Sequence, residues 1–227
     1  RFLETWWEKM KVFFLQHSTS AGGNDGPKVS GIYIYPVKSL RAVELKEALM
    51  DECGIDRDRR LMLVVPNPPP VYGHLRDDPT HKFLTQRQCP QLATVAAQYL
   101  SKDLVRLSVD KQKKSMTFHL QFDSDKQPIL KSRLWDNVVE VVDMGDAAAE
   151  FVQDIVGDDI PGVRLTRMLQ PSLAKDAYVP PSARTWWGTT PQVALTDGFP
   201  ILIACEASLQ EVNRRLEQKG KEPIPMS

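Results

Sequence analysis

The feature that most constrains this chain is the run Leu61-Met62-Leu63-Val64-Val65, closed at once by Pro66-Asn67-Pro68-Pro69-Pro70. The apolar stretch has the length of a strand, and the prolines behind it remove backbone donors and helical options. The reading is a buried strand that runs out into irregular chain as far as Thr80. Further segments of strand length surround it. They are Val29 to Val37 (Ile32 and Ile34 between Tyr33 and Tyr35, disturbed at Pro36), Val43 to Met50 with a turn at Gly54, Phe83 to Thr85, and Leu92 to Gln98. Leu104 to Val109, Ser115 to Leu120, Val138 to Val142, Val163 to Met168 and a buried-strand run over Ile201 to Cys205 complete the set.

Helical spacing is confined to fewer places. Gly145 to Val156 puts Ala148, Phe151, Val152 and Ile155 on one face, with Gly157 as its stop. Ala207 to Lys219 carries Leu209, Val212 and Leu216 and ends at Gly220. Residues 1–17 gather Phe2, Leu3, Trp6, Trp7, Met10, Phe13 and Phe14 on a broad apolar face. Either that face packs on the body of the protein, or its tryptophans and lysines lie at a membrane surface as a peripheral contact. It is shorter than the ~18 apolar residues a span requires. Many short strands with few helices predict an α+β fold with an antiparallel or mixed, barrel-like sheet, incomplete at the C-terminus. The expected organisation is an amphipathic helix and Gly-rich linker over 1–28, a β-rich domain over 29–170, and a connecting loop, strand and helix over 171–227. The start at Arg1 and the linker-like Lys219-Gly220-Lys221-Glu222-Pro223 suggest a piece of a longer protein.

Charge and cysteine content narrow the function. Lys+Arg and Asp+Glu are 29 each, which argues against bulk electrostatic binding of nucleic acid. The 3 cysteines (Cys53, Cys89, Cys205) are odd in number and form no CxxC pair, so a disulfide scaffold or structural zinc site is a poor reading and a reducing compartment a better one. The 4 histidines form no HxxxH or HExxH pair.

Three strand ends offer anion seats. Asp56-Arg57-Asp58-Arg59-Arg60 stands directly before the Leu61 strand, where the Arg59 guanidinium could grip a phosphate with parallel donors. A solvated turn with local Arg–Asp pairs would look the same. Lys38-Ser39 sets a cation beside a hydroxyl at the end of the first strand, and Thr85-Gln86-Arg87 ends another with polar donors. Pro171 to Gln192 reads as loop, and its Trp186-Trp187 pair could dock a partner.

These pieces together resemble the MOSC-domain proteins. Tyr35-Pro36-Val37-Lys38-Ser39, Gly54 followed by Asp58-Arg59-Arg60-Leu61-Met62-Leu63-Val64, and Phe83-Leu84-Thr85-Gln86-Arg87 with Pro90 look like the N-terminal half of that pattern. Thr196-Asp197-Gly198-Phe199-Pro200 and Glu206-Ala207-Ser208-Leu209 with Asn213 are similar to a later part. The order holds from Val29 to Lys219, with the amidoxime-reducing components of mitochondria and their bacterial and fungal relatives as the nearest members. The resemblance implies a molybdenum-cofactor oxidoreductase that removes oxygen from N-hydroxylated substrates such as amidoximes, fed by a haem or flavin electron-transfer chain. It also implies a mitochondrial, outer-membrane-associated location if the chain is like the eukaryotic members, and a cytoplasmic one otherwise. It assigns the anionic cofactor to Lys38, Ser39, Arg59 and Asp197, with Arg87 as an added donor. By chemistry alone Asp197 could take N–H bonds from a heterocycle or cap the turn into Ile201. The family's metal-ligating cysteine is expected beyond Ser227, and Gly198-Phe199 replaces the small hydroxyl residues of the mitochondrial group.

Two other classes stay open. One is a non-catalytic module that recognises an anion or a partner through the same basic strand ends. The other is a pyridoxal-phosphate protein using Lys38, which needs a buried lysine of lowered pKa. Nothing in the sequence around Lys38 demands that.

Overall fold

The structure, a computed structural model, describes residues 28–51, 53–67, 79–109, 113–121, 123, 127–169, 175–176 and 192–225. The helix expected over 1–17, its linker and the Trp186-Trp187 loop lie outside the described residues. The strands are β1 (Ile32–Ile34), β2 (Val37–Lys38), β3 (Val43–Leu45), β4 (Met50–Asp51), β5 (Gly54–Ile55), β6 (Leu61–Pro66) and β7 (His81–Phe83). They continue with β8 (Val95–Tyr99), β9 (Leu104–Val109), β10 (Lys114–His119), β11 (Ile129–Leu134), β12 (Asn137–Asp143), β13 (Arg164–Met168), β14 (Lys175–Asp176) and β15 (Gln192–Val193). Two α-helices are described, α1 (Asp146–Val156) and α2 (Glu206–Gln218). No helix among the described residues is long and apolar enough to cross a membrane.

Strands β6, β7, β11, β12 and β13 close into a mixed barrel, because β13 pairs back onto β6. The β7–β11 pair is parallel and the remaining pairs of the ring are antiparallel. Alternation along β6 explains its unbroken apolar run. Met62 and Val64 join Leu134, Val139, Val141 and Met168 in one buried cluster. Leu61, Leu63 and Val65 belong to a second cluster with the β8–β9–β10 meander, α1 and Leu165. A strand buried on both faces has no polar side, so every position is apolar. The chain returns late to the barrel, where Ala194 and Leu195 enter the first cluster.

Several boundaries differ from expectation for identifiable reasons. Val43 to Met50 divides, because Val43–Leu45 pairs with β1 while Met50–Asp51 forms a hairpin with β5. Leu92 lies in a 3₁₀ turn over Pro90–Thr94 that Pro90 initiates, and only Val95 onward is strand. The strand expected over Phe83 to Thr85 is β7, His81–Phe83, so Thr85 and Arg87 fall in the turn after it. Strand β11 carried no clear signal. Its inward position Ser132 is polar and fully buried, so the hydrophobic alternation is broken where the barrel closes.

The largest correction concerns Ile201 to Cys205. It forms no strand, and Leu202 and Ile203 are 87% and 90% exposed. Helix α2 forms as expected but buries none of its side chains among the described residues. An apolar run reports what could be buried, not that a neighbouring element is there to bury it.

Candidate functional site

Strand β6 builds the site by sharing one edge between two partners. β2 pairs in parallel with Leu61 and Met62, and β7 takes over antiparallel at Val64. Lys38, the last residue of β2, therefore sits where one partner gives way to the other. Its ammonium stands 5.5 Å from the Phe83 ring centroid, and the residue is only 5% exposed. Ser39 follows in a left-handed conformation (φ 68°) that turns the chain away.

Arg59 ends the turn between β5 and β6, also left-handed at φ 48°. Its N–H donates to the Tyr35 carbonyl at 2.7 Å. The buried carboxylate of Asp58 organises this turn, accepting the Tyr35 N–H at 2.8 Å and Arg59 Nε at 2.7 Å. Arg59 also donates to the Pro200 carbonyl at 3.3 Å. The basic turn is thus pinned to two distant segments: the local Arg–Asp pairing expected of a charged turn is present, as Arg59 with Asp58 and Arg57 with Asp56, but Arg59 is not freely solvated.

Asp197 arrives from the chain that leaves the barrel. Its Oδ1 accepts from Lys38 Nζ at 2.5 Å and from Trp135 Nε1 at 2.9 Å. Trp135 occupies the two-residue turn between β11 and β12, left-handed at φ 55°, with its ring edge-on to Phe83 at 4.9 Å. Arg87 comes from the turn after β7 and has no hydrogen-bond or ion-pair partner among the described residues.

All of these side chains meet in one cleft of about 290 Å³. Lys38, Ser39, Arg59, Arg87 and Asp197 line it together with Tyr35, Phe83 and Trp135. Sequence reasoning singled out the first five and missed the role of the aromatic residues. Phe83 was visible only as part of a motif. Trp135 takes the first position of a two-residue turn, one that Gly, Asn or Asp usually fills, so its residue type did not mark it.

Burial pushes the Lys38 ammonium below its ordinary value of 10.5, outweighing the opposite pull of Asp197. Such burial and lowering are the features an imine-forming lysine needs, although the sequence around Lys38 did not call for them. For Asp197, burial acts upward, but the hydrogen bonds from Lys38 and Trp135 and the nearby charges win and hold it below 3.8. The enclosed ammonium faces a carboxylate whose side chain is 68% exposed at the rim.

None of the cysteines lines the cleft. Cys53 and Cys89 are buried in the two clusters. Cys205, expected to be small and buried, is exposed at the start of α2, where the Ser208 and Ala207 N–H groups lower its pKa. Among the described residues, no three His, Cys, Asp or Glu side chains are grouped to hold a metal.

Residues 26–159 match the family described as the MOSC N-terminal beta barrel domain. Similar proteins include mitochondrial amidoxime-reducing component 1 of Mus musculus, 26% identical over 211 residues, covering 85% of this chain and 52% of that protein. Mitochondrial amidoxime reducing component 2 of Macaca fascicularis is 26% identical over 210 residues, with the same coverage. The Bos taurus component 2 is 26% identical over 197 residues, again covering 85% and 52%. This chain spans about half the length of the curated relatives it matches. A solution structure from Bordetella bronchiseptica matches 56% of this chain and 88% of that one at 19% identity and a TM-score of 0.36. With the family model spanning more than half of its residues, and with the closed β6–β7–β11–β12–β13 barrel to match, this chain belongs to the MOSC N-terminal beta barrel family.

Proposed function

We propose that this chain anchors a molybdenum cofactor by its anionic end in a MOSC-type oxidoreductase. The observation that supports it is the convergence of Lys38, Arg59, Arg87 and the Ser39 hydroxyl, from three separate strand ends, on a single cleft. The donor set suits a phosphate. Guanidinium groups offer paired N–H donors, and a hydroxyl and an ammonium supply the remainder. Asp197 at the rim suits the N–H edge of a heterocycle, and Phe83 and Trp135 offer apolar surface beside it.

When bound, such a cofactor supplies the two-electron chemistry that cleaves an N–O bond. The roles of this chain's own residues are binding and orientation. Arg59, held in place by Asp58, and Arg87, at the open side, take the anion. Ser39 donates its hydroxyl proton. Phe83 and Trp135 keep water from one side of Lys38. None of Cys53, Cys89 and Cys205 lines the cleft, so this proposal assigns no metal-ligating thiolate to them. Amidoximes and related N-hydroxylated compounds and a mitochondrial setting accord with the names of the relatives, a haem or flavin electron donor with the family resemblance, and all are part of the proposal.

The test is to express the full-length protein, wild type and Arg59→Ala, and to measure molybdenum per protein and amidoxime turnover. Wild type should carry metal and turn over, and Arg59→Ala should lose both in parallel. A full-length protein that binds phosphate but neither metal nor amidoxime would favour the non-catalytic module. Burial of Lys38 with its lowered pKa is the one observation that favours the pyridoxal-phosphate reading, but its Nζ is already committed to Asp197. A visible absorption band lost on borohydride treatment and in Lys38→Met would revive that reading.

A further inference from the structure

We propose that Trp135 is the positioning residue of this cleft, fixing Asp197 as the resident counter-ion of Lys38 and so setting how much positive charge an incoming anion meets. The inference rests on the anion-binding reading above and adds its regulation. Three observations carry it. One carboxylate oxygen, Asp197 Oδ1, receives both the Lys38 ammonium and the Trp135 indole N–H. Asp197 itself stands in irregular chain at the rim, so its place depends on such contacts. Trp135 is held in a left-handed backbone conformation, which costs a bulky residue free energy and persists where the surroundings over-determine it.

Phe83 completes the device. It meets the Trp135 ring edge-on and the Lys38 ammonium from its face, so one aromatic pair braces both ends of the ion pair. Among the described residues, the charged groups that act on Asp197 include Lys38 from β2 and Arg59 from the turn before β6, with Asp58 behind Arg59 and Arg87 across the cleft. Phe83 and Trp135, from the other two elements, are uncharged. While Asp197 is ionised it cancels Lys38. Protonation removes that negative charge, frees Lys38 and strengthens anion binding.

The experiment uses inorganic sulfate, which stays divalent through the titration, and compares wild type, Trp135→Phe and Asp197→Asn. Trp135→Phe keeps an aromatic ring beside Phe83 and deletes the N–H donor, with the loss of part of the indole surface. In wild type, the Trp135 indole ¹⁵N–H signal should shift with pH in step with the Asp197 carboxyl, and sulfate should bind several-fold more tightly once Asp197 is protonated. In Trp135→Phe, the Asp197 midpoint and the sulfate step should move together to higher pH. In Asp197→Asn, the indole signal should lose its pH step and sulfate should bind tightly throughout. An Asp197 midpoint unmoved by Trp135→Phe overturns the proposal, as does an indole signal indifferent to Asp197→Asn. The second comparison decides the matter if Trp135→Phe fails to fold. Failure of the wild type to bind sulfate while the midpoints move as expected would instead sink the anion reading.

Discussion

A Cβ placed on Gly54 would lie 2.6 Å from the Cβ of Pro200, across the whole length of the barrel in sequence. The glycine also holds φ +116°, which a side chain resists. Pro200 in turn offers its carbonyl to Arg59. One hydrogen atom at Gly54 thus decides whether the segment carrying Asp197 can close over the basic turn. Gly54→Ala should destabilise the chain by more than the roughly 1–2 kcal/mol expected for the left-handed region alone. Gly220→Ala is the control. Gly220 is left-handed at φ +65° with nothing within 4 Å, so only the backbone cost applies. Denaturant melts of the two variants would check this, and equal losses would show that the Pro200 contact gives way.

Arg59 and Asp58 should separate binding from stability. Arg59→Ala removes charge-assisted donors from the cleft and should weaken phosphate binding tenfold or more, from about 1.5–3 kcal/mol of lost interaction. It also strands the buried Asp58 carboxylate, which among the described residues keeps the Tyr35 N–H as its hydrogen-bond donor. Some stability should therefore be lost, about 1–3 kcal/mol. Adding Asp58→Asn should restore much of that stability and none of the binding. Calorimetric titration beside thermal melts reads both, and a double variant that regains phosphate affinity would take Arg59 out of the site.

How much of this was legible in the sequence depends on what each residue needed. Lys38, Ser39, Arg59 and Arg87 were visible because polar residues flank apolar runs, and strand ends are where a sheet presents side chains to solvent. The doubly buried β6 was legible for the same reason. Trp135 was not, because its importance lies in a left-handed turn and in a carboxylate from another part of the chain, neither of which leaves a local pattern. Asp58 looked like one of several acidic residues in a charged turn, and only the fold shows it buried beneath Tyr35 and Arg59. The Ile201 run misled because apolarity says nothing about which element will cover it.

The Lys38–Asp197 pair should respond asymmetrically to substitution. Removing the buried charge with Lys38→Met relieves its desolvation and should be near neutral or stabilising, whereas Asp197→Ala leaves an enclosed ammonium without its partner and should destabilise. The pH signs follow from the directions of shift. The folded pKa of Lys38 lies below its unfolded value, so the unfolded chain binds the proton more tightly and stability rises with pH in the window leading up to 10.5. Asp197 contributes stability above its unfolded value near 3.8, lost as pH falls through its lower folded value. That contribution is screened at the exposed rim. Lys38→Met should flatten the alkaline slope and also weaken the acid contribution of Asp197, which then keeps only Trp135 and Arg59 to hold its carboxyl down. Urea melts across pH would read this, and a Lys38→Met variant less stable than Asp197→Ala would refute the asymmetry.

Cys205 should be the reactive thiol of the chain. Cys53 and Cys89 are 2% exposed within the two apolar clusters and should resist alkylation until the protein unfolds. Cys205 is exposed and stands directly before the first turn of α2, where the Ser208 and Ala207 N–H groups favour the thiolate, with Glu206 opposing weakly. Its pKa lies below the ordinary thiol value of 9.0, so a larger fraction is ionised at neutral pH than for an unperturbed cysteine. Iodoacetamide labelling followed by peptide mapping should find Cys205 modified first, with a rate midpoint on the acid side of 9.0. Glu206→Gln should shift that midpoint slightly further down, by removing the adjacent negative charge. Labelling of Cys53 or Cys89 at a comparable rate in the folded chain would mean that the barrel opens far more readily than its packing indicates.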